Sequence, residues 1–255
     1  MTDVRRFKGR SKRVLTEWGQ IVTCDHVIGE THDMTGMNGN KDAIIIHDLY
    51  SKLKSCYPVK NKSTHESMIA ISFFRGDRDI KRIFCDNSGE FIEAVKTIGI
   101  PRHPSIPGIP SSNARAERCN RDVLDRTRSL LISAGLPGCF WTFAAPAYCH
   151  LDNIRDDDNG DSPWRKTHGS SFEGTRLPFG SEVVYRPTQT TKEREPPQLR
   201  GPLAARASSV GISLPQAGSG QARTFVWDLT EFQGVSLHYE ARSASVPLKN
   251  PHVAR

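Results

Sequence analysis

A short strand-like run that ends on an acid, IKRIFCD at residues 80–86, constrains this chain more than any other stretch. Asn87, Ser88 and Gly89 turn the backbone there into an amphipathic segment, EFIEAVKTIG. A Pro-rich loop follows, then SSNARAERCNRDVLDRTRSLLISAG, in which Val123, Leu124, Leu130 and Leu131 recur at helical spacing. Glu117 falls in the first turns of that helix. An earlier run, QIVTCD, ends in the same way on Asp25. Two strand-end aspartates and a helix-borne glutamate are the elements around which the rest must be arranged.

Taken in order, the chain reads as an α/β layer. Residues 1–17 form a basic arm without periodicity, expected to be disordered. Residues 19–28 form a first strand, AIIIHDLYSKL (43–53) a buried second one, and KSCYPVKN (54–61) its antiparallel neighbour. THESMIAISFFRG (64–76) is a helix, with Thr64 offering the N-cap and Gly76 the stop. The strand to Asp86, a helix to about Thr97 and the long Glu117 helix come next. A fifth strand near Ile100–His103 is kept short by Pro101 and Pro104. GLPGCFW breaks the long helix and starts another, FWTFAAPAYCHLDNIR. A three-stranded meander followed by alternating strands and helices predicts an RNase H-like mixed sheet flanked by helices, over residues 18–160. In residues 161–255 the sequence predicts a hairpin ending in EVVYRP, a Pro/Ser/Arg-rich linker at 190–209, and a small β appendage around TFVWDLTEFQGVSLH.

The three acids suit one chemistry. Mg²⁺ takes hard carboxylate oxygens, and two such ions about 3.5–4 Å apart need a shared carboxylate with others beside it. Asp86 lies 61 positions after Asp25 and Glu117 lies 31 after Asp86, leaving room for intervening strands and a helix. On the helix, Glu117 shares a face with Asn113, Asn120, Arg121 and Leu124, so polar and cationic groups flank the acid. The other flank is apolar and packs on the sheet. Cys24 and Cys85, each one residue before an aspartate, point the opposite way, into the core. Read singly, a strand-end aspartate is a common turn former and a helix-surface glutamate a solvated one.

Charge and cysteines bound the remaining classes. A net charge of +7 favours an anionic counterpart, with nucleic acid first among them. The six cysteines form no CxxC pair and read as reduced intracellular thiols, with no secretory leader and no membrane-spanning run.

CDNSGEF followed by SSNARAERCNRDVLDRTRSLLISAGLPGCFW resembles the catalytic core of retroviral-type integrases, particularly those of copia-type LTR retrotransposons. Asn113, Glu117, Arg118, Asn120, Arg121, Leu124, Arg128 and Trp141 fall in register with that pattern, and VTCDHV looks like its first-acid strand. The resemblance covers roughly 18–155. It implies that Asp25, Asp86 and Glu117 form a catalytic triad holding two Mg²⁺ or Mn²⁺ ions. It implies DNA contacts from Asn113, Arg118, Asn120, Arg121 and His103. It also implies DNA as substrate, self-association to handle two DNA ends, and a nuclear location. His26 and His32 near Asp25 are further polar candidates.

The chain departs from the pattern in three ways. Its second interval is shorter than in retroviral cores, Ser112 and Ala114 replace Gln and Gly, and no His/Cys zinc module precedes Asp25. A polyprotein fragment or a decayed copy is the expectation these differences raise. Two alternatives stay open: a catalytically inactive DNA-binding remnant, and an RNase H-like nuclease.

Overall fold

The computed structural model describes residues 14–28, 35–104, 114–174, 176–185, 205–213, 223–228 and 252–254. Five strands build the main sheet: β1 (Val22–Ile28), β2 (Asp42–Asp48), β3 (Lys54–Val59), β4 (Ile83–Cys85) and β5 (Arg102–Pro104). Their spatial order is β3-β2-β1-β4-β5. The first three form an antiparallel meander, with Asp25 opposite Ile45 and Ile44 opposite Tyr57. The last two run parallel to β1. This is the RNase H-like mixed sheet that the order of elements predicts. The fifth strand is three residues long, confined as expected by its prolines.

Helices cover both faces. α1 (Thr64–Arg75) and α2 (Gly89–Ile98) bury Ile71, Phe74, Phe91 and Val95 against Val22, Cys24, Ile44, Ile46, Ile83 and Cys85. On the opposite face α3 (Ala114–Ala134) and α4 (Trp141–Asn153) bring Cys119, Val123, Ala145 and Cys149 onto Ala43, Ile45 and Cys56. Cover on both sides explains why residues 43–46 are apolar without alternation. A third cluster, with Leu131 and Phe140 at its centre, closes the α3–α4 corner.

Several boundaries are corrected. The N-cap of α1 is Ser63, not Thr64: Ser63 is extended and its Oγ accepts from the Glu66 amide at 3.2 Å. Gly76 does end the helix, at φ +56°. Residues 163–168, expected in a hairpin, form a short helix, α5 (Pro163–His168). Ser162 caps it by accepting from the Arg165 amide, and Pro163 opens it. EVVY is a strand, β6 (Glu182–Tyr185), but it pairs with β7 (Ala205–Ser213), which begins inside the stretch expected to be linker. With β8 (Arg223–Asp228) and β9 (His252–Ala254) these make a second, four-stranded antiparallel sheet. The basic arm, as far as residue 13, lies outside the described residues.

Candidate functional site

β1 and β4 lie side by side and parallel, Val22 level with Ile83 and Thr23 with Phe84. Cys24 and Cys85 come next on the two strands, and β4 ends there, with Asp86 one residue beyond it. The two cysteines are fully buried on the α1–α2 face, as their parity predicts. Burial pushes the Cys24 thiol well up, helped by the neighbouring Cys85, Asp25 and Asp86. Both thiols are therefore inert packing groups beneath the acids.

Asp25 lies on the other face, where α3 crosses the sheet. Asn120 Nδ2 donates to Asp25 Oδ2 at 2.8 Å. Glu117 is one helical turn before Asn120, exposed to solvent. Together with His26, Val27, Arg121, Leu124, Asp125 and Arg128 these two helix residues line an open groove of about 390 Å³. The helical face drawn from spacing alone is thus the face that opens on the groove. Arg128 is braced there by an ion pair with Asp125 at 2.7 Å.

Asp86 stands at the turn into α2. Its Oδ1 accepts from the Ser88 amide at 3.2 Å, and Arg102 donates to its backbone carbonyl at 3.2 Å. Lys62 Nζ approaches Oδ2 at 4.0 Å. His26 stacks on Phe91 with ring centroids 4.1 Å apart, and its Nε2 lies 3.4 Å from Ser67 Oγ. Burial lowers the His26 ring to about 4, and Lys62 adds to that against Asp86 and Glu90. His26 is therefore a neutral, packed ring at neutral pH.

The remaining predicted residues fall in different places. Arg121 lines the groove, while Arg118 is exposed on α3 outside its lining. His103 is exposed on β5 and stacks on Phe84 at 4.6 Å. Asn113 and His32 lie outside the described residues.

Sequence reasoning missed what holds α3 in place. Lys54 on β3 pairs with Asp122 of α3 at 2.7 Å and with Asp152 of α4 at 2.9 Å. Tyr148 donates to the same Asp122 oxygen at 2.7 Å. Burial works against the charge on both Lys54 and Asp122. The hydrogen bonds Lys54 donates to the Asp122 and Asp152 carboxylates nevertheless raise the lysine, and those from Lys54 and Tyr148 hold the Asp122 carboxyl low. α3 is thus fixed at β1 through Asn120 and at β3 through Asp122, which sets where Glu117 stands. No local pattern announces a pairing over 68 positions.

The donor set fits a hard divalent cation. Asp25, Asp86 and Glu117 offer only carboxylate oxygens. Asn120 Oδ1 is buried with no hydrogen-bond partner, an acceptor left unclaimed next to Asp25. Among the described residues no three His, Cys, Asp or Glu side chains are grouped closely enough to hold a metal.

No protein-family model matches the chain. In sequence it is similar to the "Retrovirus-related Pol polyprotein from transposon TNT 1-94" of Nicotiana tabacum, 32% identical over 130 residues, 48% of this chain and 10% of that one. It is also similar to the "Retrovirus-related Pol polyprotein from transposon RE1" of Arabidopsis thaliana, 29% identical over 137 residues, 50% of this chain and 9% of that one. The chain thus spans about a tenth of the length of these curated relatives. The relationship agrees with the resemblance carried by the motifs. A solved structure aligned with the chain is the "HTLV-2 integrase catalytic core domain in complex with magnesium (trimeric form)". That alignment has 17% identity and TM-score 0.43, covering 60% of this chain and 98% of that one.

Proposed function

We propose that residues 18–160 form the catalytic core of a retrotransposon DNA integrase. In this reading it joins 3′ ends of element DNA to target DNA by metal-dependent phosphoryl transfer, in the nucleus and as a homo-oligomer. One observation carries the reading: Asn120 ties Asp25 to α3, with Glu117 one turn away along the same groove, while Asp86 follows the end of the parallel strand next to β1.

Asp25, Asp86 and Glu117 would hold two Mg²⁺ or Mn²⁺ ions. Bound there, the ions activate the attacking 3′-hydroxyl and neutralise charge on the leaving oxygen. Asp25 holds its place within β1 and Asp86 just beyond the end of β4; Asn120 orients the Asp25 carboxylate, and the Ser88 amide orients that of Asp86. Arg121 and Arg128 present positive charge along the groove, where a DNA backbone is drawn in by counterion release. Positioning and electrostatics carry such a reaction, with little covalent work for the protein.

The short interval between Asp86 and Glu117, 31 positions, favours a second reading, a DNA-binding remnant without turnover. Strand transfer decides between them. The purified 255-residue chain is incubated with a labelled duplex bearing recessed 3′ ends and Mg²⁺ or Mn²⁺, beside Asp86→Asn and Glu117→Gln. Metal-dependent joining abolished by both substitutions is the expected result. DNA binding without joining, the same in all three proteins, would leave the remnant.

A further inference from the structure

Lys62 has no part in the chemistry above, yet it is the cation that faces Asp86 from the α1 side. Asp86 Oδ1 is already taken by the Ser88 amide, and Oδ2 is the oxygen turned to Lys62 Nζ, 4.0 Å away. The pair is loose, with 27% of the lysine side chain and 35% of the aspartate side chain exposed. Ion pairs of that exposure contribute little, so exchanging the partner costs little. The base of Lys62 does not drift. The residue sits between the end of β3 and Ser63, whose side chain caps α1. Its charge reaches His26 and Glu90 as well.

We propose that Lys62 is an electrostatic placeholder: it neutralises Asp86 while no divalent cation is bound, yields Oδ2 when one arrives, and then contacts a DNA phosphate. The proposal rests on the integrase-core reading and deepens it. An ammonium at 4.0 Å opposes an incoming dication at the same oxygen and is repelled by it once bound. Released from Oδ2, a lysine on a flexible stem is a point charge suited to a phosphate drawn to the site.

Two measurements on the full chain test it, using Lys62→Met, Lys62→Arg and Asp86→Asn. The first is Mn²⁺ affinity by electron paramagnetic resonance without DNA. Lys62→Met is expected to bind Mn²⁺ about threefold to tenfold more tightly than wild type, with Lys62→Arg close to wild type. The second is the salt dependence of binding to a random-sequence duplex, with and without Mn²⁺. Each phosphate contact contributes about one to the slope of log affinity against log salt. Lys62→Met is expected to lower that slope by about one with Mn²⁺ present and to leave it unchanged without. An unchanged Mn²⁺ affinity, or a slope lowered equally in both conditions or in neither, overturns the placeholder role. If Asp86→Asn binds Mn²⁺ as wild type does, the core reading fails and the placeholder with it. If Asp86→Asn loses Mn²⁺ while Lys62→Met is silent, only the placeholder fails.

Discussion

The carboxamide of Asn120 donates to the carboxylate of Asp25 at 2.8 Å, joining α3 to β1 across 95 positions of sequence. This bond ties the helix to the middle of the strand, with Glu117 one turn earlier on the helix. It also leaves Asn120 Oδ1 buried and unclaimed.

Asn120→Leu removes the donor while keeping the bulk. Groups that orient a metal ligand typically contribute 10- to 100-fold to metal affinity, so Mn²⁺ binding is expected to weaken by about that factor. The fold is expected to persist, because Val123 and Asp122 still hold α3. A Mn²⁺ titration beside a far-UV circular dichroism spectrum checks both halves. Unchanged affinity would remove Asn120 from the site.

Lys54 is the second anchor of α3, and its loss acts on stability. Lys54→Met leaves Asp152, largely buried, without its lysine partner and Asp122 with Tyr148 alone on that side. Breaking a buried pair costs about 3–5 kcal/mol, and the partial exposure of Asp122 reduces this to about 2–3 kcal/mol. Urea denaturation measures it. Adding Asp122→Leu is expected to recover part of the loss, since one unpaired carboxylate is then gone.

Gly19 tests the packing at the start of the core. Its φ of +78° lies in the left-handed region, and an added Cβ would stand 2.4 Å from the Asp79 carbonyl oxygen. Its amide also donates to the buried Asp48 carboxylate at 3.0 Å. Gly19→Ala is expected to destabilise by about 1–3 kcal/mol through strain and the displaced backbone. A thermal midpoint equal to that of wild type would contradict the geometry.

The main sheet was legible because its signals are local. The apolar run before Asp86, the unbroken apolar stretch at 43–46 and the helical spacing through Val123 each fix an element without reference to its partners, whereas Asp25, expected to close its strand, lies in the middle of β1, because pairing with β2 continues to Ile28. The same spacing identified the face of α3 that opens on the groove. Contacts made at long range left no such trace. Lys54 looks like an ordinary strand-end lysine, and only the fold brings Asp122 and Asp152 to it. Lys62 was missed for the same reason, since nothing near it in sequence announces Asp86. The region after residue 160 misled at α5, where the signal was Ser162 followed by Pro163, a cap and a helix-opening residue. β7 was hidden in a stretch whose composition reads as linker.

Acid lability follows from three histidines packed in neutral form. Burial lowers His26, His47 and His150 each to about 4, from an ordinary value of 6.5. His150 is the clearest case. It is 6% exposed, neither ring nitrogen has a hydrogen-bond partner, and the Phe172 and Trp164 rings meet it edge-on at 5.2 and 6.5 Å. As pH falls below 6.5, the unfolded chain takes up a proton at each of these positions before the folded chain does. Stability is therefore full above about 6.5 and declines toward 4, where the folded rings titrate too. In that window His150 contributes a slope of up to about 1.4 kcal/mol per pH unit. His150→Phe keeps the aromatic volume and removes the proton site. It is expected to match or exceed wild-type stability at pH 7.5 and to flatten the decline between 6.5 and 4, with His26 and His47 sustaining the rest. Urea midpoints at half-unit pH steps read this directly, and parallel curves for the two proteins would show that His150 is protonated as readily folded as unfolded.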